Sequence, residues 1–203
     1  MSARVVLATR NSGKIDELRR ILADADPGIE LVGTEAFAAL PEIAETGTTF
    51  ADNALLKARA VSQHTGLPAV ADDSGLCVDA LNGMPGILSA RWSGRHGDDE
   101  ANLDLVLAQL ADVPAQRRGA AFVCAAAVHL PDGRERVVEG RLAGRLLLER
   151  RGSNGFGYDP IFVPDGSRAT TAEMASAEKD AISHRGEAFR ALAPVLADLL
   201  AVR

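Results

Sequence analysis

The sequence predicts an α/β fold, in which helices pack on a sheet. Residues 4–9 (R-V-V-L-A-T) and 67–71 (L-P-A-V-A) are short apolar runs of the kind that form buried strands. Apolar residues recur at helical spacing in four segments: 14–22, 50–64, 98–110 and 187–200. Strands that alternate with amphipathic helices along one chain are typical of this class.

Two adjacent carboxylates, Asp72 and Asp73, directly follow the apolar run at 67–71. Open α/β sheets bind ligands just beyond the carboxyl ends of their strands, so we expect the strand to end here, at a site. At about 4 Å and an effective dielectric of about 20, the repulsion between the pair is about 4 kcal/mol, which a divalent cation would relieve. Successive strand residues point to opposite faces, so only one of the two is expected to enter the site. The alternative is a turn with both side chains in water.

A polar turn, T-R-N-S-G-K at positions 9–14, joins the first predicted strand to the first predicted helix. Free backbone N–H groups and the positive end of the helix dipole favour an anion at such a turn. Lys14 adds a compact charge that suits phosphate. The spacing differs from that of a Walker A loop. The alternative is a helix capped by Asn11 or Ser12, with Lys14 in solvent.

The helix predicted over 50–64 has two candidate site residues near its start. Glu45 precedes the helix and could reach a metal held by Asp73, and Lys57 lies one turn after Asn53 on one helix face. The alternative places Glu45 and Lys57 in solvent. Lysine is scarce among the 22 basic residues, and each of the three lysines lies in or near a motif: Lys14, Lys57 and Lys179.

Further segments have the composition of strands: 29–32, 76–81, 120–130 and 137–148. The last two flank a Pro-Asp-Gly turn, which predicts an antiparallel hairpin, and we assign this hairpin to a second lobe. Residues 82–97 hold four glycines and a proline, which indicates a structured loop. We expect Trp92 in this loop to pack on the core, and Pro194 to kink or split the last helix.

Residues 152–159 (G-S-N-G-F-G-Y-D), here called the aromatic loop, combine glycines with aromatic side chains. Phe156, Tyr158 and Phe162 fall within seven residues. An aromatic ring between glycines can lie flat against a nucleobase, because the backbone can approach closely. The alternative is an aromatic residue that attaches a glycine loop to the core.

His184 and Arg185 lie just before the helix predicted over 187–200. Together they offer several N–H donors, which suit the recognition of carbonyl oxygens on a base. The alternative is an ordinary helix start, with Ser183 as the cap and Asp180 or Glu187 as a local ionic partner.

Composition argues against several classes of protein. The net charge of −6 disfavours a nucleic-acid polymer or an anionic membrane as partner. The sequence has neither an apolar run of transmembrane length nor a signal-peptide pattern, which predicts a cytoplasmic protein. Cys77 and Cys124 lack metal-ligand spacing and lie in apolar segments, so we expect buried thiols rather than a nucleophile. The histidines lack zinc-site spacing.

Taken together, these motifs describe a pocket for a Mg²⁺–nucleoside triphosphate. In chain order, T-R-N-S-G-K, A-E-T-G-T-T-F, A-D-D-S-G-L, G-x-P-G, F-G-Y-D-P-I-F and S-H-R-G closely resemble the Ham1-like inosine triphosphate pyrophosphatases. The resemblance covers nearly the whole chain. It implies an α/β fold with an elongated mixed sheet flanked by helices, and one pyrophosphatase domain over residues 1–203 with two lobes around a central cleft. It also implies a homodimer.

The resemblance implies hydrolysis of non-canonical purine nucleoside triphosphates (ITP, dITP and XTP) to the monophosphate and pyrophosphate, with Mg²⁺ as cofactor. Asp73 would be the catalytic carboxylate, and Glu45 and Asp73 would bind the metal. The implied substrate contacts are Thr9, Arg10, Asn11, Ser12, Gly13, Lys14, Lys57, Ser74, Arg91, Phe156, Gly157, Tyr158, Asp159, Lys179, His184 and Arg185.

Three alternatives remain at this point. A Maf-like pyrophosphatase would act on other nucleotides, but its basic S-x-S-x-R-R type of turn is replaced here by T-R-N-S-G-K. A nucleotide sensor without catalysis would bind and release its ligand unchanged, and the set of Lys14, Glu45 and Asp73 argues against it. A hydrolase with a Cys or Ser nucleophile is the least supported of the three.

Overall fold

The computed structural model describes residues 3–9, 29–37, 40 and 43–201. Its six described strands are β1 (Ala3–Leu7), β2 (Ile29–Gly33), β3 (Ala69–Val78), β4 (Gly119–His129), β5 (Glu135–Leu146) and β6 (Phe162–Pro164). They form one sheet in the order β2-β1-β3-β4-β5-β6. Strand β1 is parallel to β2 and β3, whereas β5 and β6 are antiparallel, so the predicted mixed sheet is confirmed.

The described α-helices are α1 (Phe50–Thr65), α2 (Asp99–Gln109), α3 (Ser176–Ile182) and α4 (His184–Ala201). Three of the predicted helices are therefore confirmed within one to three residues at each end. Helix α4 continues through Pro194 and is not split there. The helix predicted over 14–22 lies outside the described residues. None of the helices in the described ranges is long and apolar enough to cross a membrane.

Helix α1 has clear start and stop signals. Thr49 and Asp52 form a reciprocal capping box, in which each side chain accepts a hydrogen bond from the backbone N–H of the other. Gly66 ends the helix in the left-handed conformation at φ 68°, where a side chain would be strained. These local signals explain why the sequence predicts this helix well.

The chain forms two compact units, each with its own core. The first comprises Met1–Asp73, Cys124–Gly140 and Arg185–Arg203, and the second comprises Ser74–Val123 and Arg141–His184. The hairpin assigned to a second lobe is therefore divided, because its turn end belongs to the first unit. Apolar residues on both sides of the turn explain the division: Val128, Leu130 and Val138 pack in a core of the first unit.

In the first unit, helices cover both faces of the sheet. Val5, Leu7 and Val70 pack with α4, whereas Val6, Ala69 and Ala71 pack with α1. Neighbouring strand residues thus alternate between the two helices, as the strand period of two requires. Because the alternation continues along β3, it determines whether a later residue of this strand faces α1 or α4.

In the second unit, α2 supplies Leu103, Val106 and Leu110 to the core, as the sequence predicts. Strands β3 and β4 add Leu76 and Phe122, and Trp92 packs against the same cluster, as expected. Among the described residues, the largest fully buried side chain is cationic: Arg118 is 1% exposed. Its guanidinium donates to the carbonyl oxygens of Val113, Leu147 and Leu110, so it closes the carboxyl end of α2.

Strand β3 does not end at the two carboxylates, so that expectation is wrong. It runs from Ala69 through Asp72 and Asp73 to Val78, and the second strand expected over 76–81 is its continuation followed by a 3-10 turn, Asp79–Leu81. The following loop supplies backbone partners: Leu76 N donates to Ser89 Oγ at 2.9 Å, and Val78 N donates to the Met84 carbonyl at 3.1 Å. These long-range partners explain why the strand continues past its charged residues.

Candidate active site

Asp73 faces helix α1 because it has the same strand parity as Ala69 and Ala71. Each of its carboxylate oxygens has a donor from α1: Lys57 Nζ lies 3.0 Å from Oδ1, and Asn53 Nδ2 lies 3.2 Å from Oδ2. Asn53 and Lys57 are four residues apart and therefore share one helix face. The predicted site residues Asp73 and Lys57 are thus in direct contact.

Glu45 belongs to the same group of side chains. The Lys57 ammonium lies 2.9 Å from Glu45 Oε1, so one lysine bridges both carboxylates that were predicted to bind metal. Burial disfavours the charged form of Lys57, but the carboxylates of Asp73, Asp72 and Glu45 outweigh it and raise the pKa of Lys57 above its ordinary value. Lys57 is therefore a permanent cation in this group at neutral pH.

Asp72 faces the opposite side of β3, toward α4. Its Oδ2 lies 3.6 Å from Nε of Arg185, and both side chains are buried. The prediction that the two carboxylates point to opposite faces is confirmed. Arg185 thus has an ionic partner that is far away in sequence, which the local alternatives Asp180 and Glu187 did not include.

The carboxylates of this region fit a magnesium ion. The charges of five described side chains, Glu45, Asp72, Asp73, Lys57 and Arg185, sum to one negative charge. Mg²⁺ uses one or two carboxylates and completes its shell with water and phosphate oxygens. Across the described ranges, no group of three or more His, Cys, Asp or Glu side chains could hold a metal ion.

The predicted phosphate turn begins at the carboxyl end of β1. Thr9 follows Ala8, whose N–H donates to the Val70 carbonyl at 2.7 Å, and the Thr34 hydroxyl donates to the Thr9 carbonyl at 3.4 Å. Thr9 therefore lies just after the end of β1, next to the last backbone hydrogen bond between this segment and β3. The other predicted residues of the turn, Arg10, Asn11, Ser12, Gly13 and Lys14, lie outside the described residues.

In the second unit, Tyr158 attaches the aromatic loop to the core. Its ring is buried in the core cluster, and its hydroxyl donates to the Ser89 carbonyl at 2.8 Å. Burial raises the pKa of Tyr158 well above its ordinary value, so the hydroxyl stays neutral. The core-attachment alternative thus describes the Tyr158 side chain, whereas Phe156 is only half-buried.

Asp159 organises the half-buried part of the aromatic loop. Its Oδ2 accepts the Phe156 N–H at 2.9 Å and forms an ion pair with Lys179, and its Oδ1 accepts the Thr171 hydroxyl at 2.7 Å. The Lys179 ammonium lies 5.1 Å from the centroid of the Phe156 ring. A Cβ on Gly155, where φ is 78°, would lie 2.1 Å from Asp159 Oδ2, so this close approach requires glycine.

The remaining predicted residues of the second unit lie in different elements. His184 is buried and stacks on Phe122, with ring centroids 5.0 Å apart. Arg91 ends the 3-10 helix Gly86–Arg91 and is half-buried, as is Ser74 in β3. The Gly157 N–H donates to Asp99 Oδ2 at 2.8 Å. Asp99, at the start of α2, is therefore a contact of the aromatic loop that the sequence analysis missed.

The cysteines do not support a thiol nucleophile. Burial raises the pKa of the Cys77 thiol above its ordinary value, so little thiolate forms at neutral pH. Cys124 is fully buried in a core of the first unit. The expectation of buried thiols is confirmed for Cys124, and Cys77 is partly buried.

Comparison with protein families decides the relationship of this chain to known proteins. A family model described as the Ham1 family matches residues 5–195. The chain belongs to the Ham1 family. The resemblance inferred from the motifs is confirmed.

Ham1 relatives of high identity cover nearly the whole chain. A dITP/XTP pyrophosphatase of Streptomyces coelicolor is 64% identical, with 97% of this chain and 98% of the relative covered. A dITP/XTP pyrophosphatase of Frankia alni is 62% identical, again with 97% and 98% covered. The chain therefore spans the full length of these relatives apart from a few residues.

Solved structures of the Ham1 family share the fold. A nucleoside-triphosphatase, also named dITP/XTP pyrophosphatase, from Mycobacterium abscessus has 57% identity and a TM-score of 0.78, with 95% of this chain and 99% of that chain covered. A HAM1 protein from Coxiella burnetii has 40% identity and a TM-score of 0.87, with 97% and 99% covered. The α/β fold predicted from the sequence is that of the Ham1 family.

Asn53 is the most direct contact of the Ham1 site that the sequence analysis left without a role. Its spacing of four residues from Lys57 was the available signal, because both side chains then share a helix face. The distance from Asn53 to Asp73 along the chain is twenty residues, so the hydrogen bond itself had no local signature.

Proposed function

We propose that this Ham1 protein hydrolyses ITP, dITP and XTP to the nucleoside monophosphate and pyrophosphate. The observation that carries the proposal is the partly buried contact of Asp73 and Glu45 with one shared cation, Lys57. The names of the relatives at 54–64% identity support the same substrate class. As a nucleoside triphosphate pyrophosphatase, the protein is a hydrolase of phosphoanhydride bonds.

Magnesium is the cofactor we propose. Glu45 and Asp73 would hold it, since their oxygens are within hydrogen-bond distance of the same ammonium and are the hard ligands that Mg²⁺ prefers. When bound, the ion neutralises charge on the phosphate oxygens and polarises the phosphorus for attack. The negative charge of the Glu45 and Asp73 carboxylates favours such a dication.

Asp73 is the residue we propose as the catalytic carboxylate. Held at both oxygens, it can orient a water molecule and accept a proton from it. Lys57 supplies a cation that can stabilise charge developing on the phosphates. Lys14 and the rest of the turn at 9–14 are proposed phosphate contacts, as the sequence predicted.

The aromatic loop of the second unit is the proposed base site. Phe156 would stack on the purine, while Lys179 and Asp159 hold that ring in place. His184 and Arg185 are the proposed donors to the 6-oxo group of inosine and xanthosine. The 6-amino group of adenosine would leave such donors unpaired, at a cost of about 1–3 kcal/mol each.

The partners and location implied by the resemblance stay predictions. These are a homodimer, a cytoplasmic location, and a purine nucleoside triphosphate rather than a nucleic-acid polymer as ligand. Sedimentation velocity of the purified chain tests the homodimer directly, because a monomer of 21.3 kDa and its dimer differ twofold in mass.

Substitution of Asp73 tests the proposed reaction. Asp73→Asn keeps the shape of the side chain but removes the proton acceptor, so kcat for ITP should fall about 10²- to 10⁴-fold. The control is Asp132→Asn, at an exposed turn where the carboxylate forms a local ion pair with Arg134. The control should keep wild-type turnover, and both variants should unfold cooperatively. Turnover of Asp73→Asn near that of wild type would refute the catalytic role.

A further inference from the structure

Asn53 connects Asp73 to the segment that carries Glu45. Its side chain is completely buried in α1. The amide nitrogen donates to Asp73 Oδ2 at 3.2 Å, and the amide oxygen accepts the Gly47 N–H at 2.8 Å. Gly47 is two residues after Glu45, so one amide group contacts both the Asp73 carboxylate and the segment that carries Glu45.

We propose that Asn53 is a positioning residue, which sets the orientation of the Asp73 carboxylate and the distance of the Glu45 segment from it. The inference rests on the proposed function, in which those two carboxylates act together. Lys57 holds Asp73 Oδ1 and Asn53 holds Asp73 Oδ2, so rotation of the carboxylate would break one of the two contacts. Preorganisation of this kind lowers the cost of reaching the reactive geometry.

The chemistry of the side chain explains why an amide stands here. An amide both donates and accepts, whereas a carboxylate only accepts and an aliphatic side chain does neither. Aspartate at position 53 could still accept the Gly47 N–H, but it would face Asp73 without a donor. Gly47 fits the same arrangement, because a Cβ there would lie 2.7 Å from Asn53 Oδ1.

A purely structural role predicts a different outcome from a positioning role. The start of α1 is stabilised separately by the capping box, in which the Thr49 hydroxyl accepts the Asp52 N–H and Asp52 Oδ2 accepts the Thr49 N–H. Among the described residues, neither the Thr49 side chain nor the Asp52 side chain forms a hydrogen bond with Asp73. Thr49→Ala therefore weakens the same helix start without touching the carboxylate, and it is the matched control.

The test compares Asn53→Ala, Asn53→Asp and Thr49→Ala with wild type. Steady-state kinetics with ITP and Mg²⁺ should show kcat lowered about 10- to 100-fold in both Asn53 variants, with KM changed less than about threefold. Thr49→Ala should lower the melting temperature and leave kcat unchanged.

A second readout does not depend on turnover. Mn²⁺ binding without nucleotide, followed by electron paramagnetic resonance, should weaken about 10-fold or more in Asn53→Ala, because a misoriented ligand binds metal less well. Loss of kcat or of Mn²⁺ affinity, with Thr49→Ala unaffected, supports the proposal. Folded Asn53 variants that keep both, or a control that loses as much, overturn it.

Failure of the proposed function is distinguishable from failure of this inference. If wild type releases no pyrophosphate from any purine nucleoside triphosphate, the proposed function fails, whatever the variants do. If wild type is active and Asp73→Asn is not, while the Asn53 variants match wild type in kcat and Mn²⁺ affinity, only the positioning role fails.

Discussion

The Phe156 ring is fixed by contacts around its own backbone and by a cation beside its ring. Asp159 accepts the Phe156 N–H at 2.9 Å, and Lys179 lies 5.1 Å from the ring centroid. The neighbouring Tyr158 has the opposite character, because its ring is buried and its hydroxyl is bonded to the core. Two aromatic residues two positions apart thus have separate roles, one at the proposed base site and one in the core.

Truncation of Phe156 should weaken substrate binding without unfolding the protein. Stacking of a base on an aromatic side chain contributes about 1–3 kcal/mol, so Phe156→Ala should raise KM for ITP about 5- to 150-fold. The measurement is steady-state kinetics alongside thermal unfolding. Tyr158→Phe is the control, and it should lose about 1 kcal/mol of stability while KM stays within about twofold of wild type. An unchanged KM in folded Phe156→Ala would contradict the stacking role.

The sequence predicts the types of the site residues but not all of their partners. Asp73, Glu45 and Lys57 were predicted together, and the structure brings them into contact. Asp159 was predicted as a substrate contact, yet both of its oxygens already bind groups of the protein. Two of the partners, Lys179 and Thr171, are distant in sequence, so no local pattern could show those contacts.

Helix α1 combines local start and stop signals with a long-range ion pair. Its capping box and its terminal glycine are formed by residues that are close together in the sequence. Arg59 on α1 also forms an ion pair with Glu135 in β5, with Arg59 Nε 2.7 Å from Glu135 Oε2. The pair joins the helix to the hairpin across a separation of 76 residues, which sequence spacing cannot reveal.

The ion pair of Arg59 and Glu135 makes a testable contribution to stability that depends on pH. The hydrogen bond from Arg59 lowers the pKa of Glu135 below its ordinary value. A lowered carboxyl pKa stabilises the folded state above the ordinary value, and the effect is lost as the pH falls through the folded pKa. At neutral pH, Glu135→Gln should lower the free energy of unfolding by about 0.5 kcal/mol, since the pair is partly exposed.

Urea unfolding of wild type and Glu135→Gln at neutral pH and at about pH 3 checks this prediction. The difference between the two proteins should shrink as the pH falls through the lowered pKa of folded Glu135, so it should be smaller at about pH 3 than at neutral pH. A difference that is equal at both pH values would show that the charge of Glu135 contributes nothing.

The course of strand β3 shows where element prediction fails. Its apolar first half was recognised, but the strand was expected to stop at Asp72 and Asp73. Their charges are compensated from opposite faces by Arg185 and Lys57, so the backbone continues in extended form. Both cations lie on other elements, and the sequence around β3 does not contain them.

At the scale of the whole chain, the two units are assembled from separate segments. The first unit needs three stretches of sequence and the second needs two. The predicted α/β class follows from local periodicity and is confirmed by the mixed sheet. The division of the β4–β5 hairpin between the units was not predicted, because it depends on which core each half of the hairpin joins.

The proposed metal ligands belong to the first unit and the aromatic loop belongs to the second. The names of the Ham1 relatives support the proposed class of enzyme. The choice of base is the finer claim, and it depends on hydrogen-bond donors to a 6-oxo group. Sites built on such bonds can reject a mismatched analogue by about 10⁴-fold.

The measurement that tests this account most directly is the product released from a panel of nucleotides. The protein is incubated with Mg²⁺ and each of ITP, XTP, GTP and ATP, and the released ion is identified as pyrophosphate or orthophosphate. The account predicts pyrophosphate from ITP and XTP, with little product from GTP and ATP. Orthophosphate release, or equal activity on ATP, would contradict it.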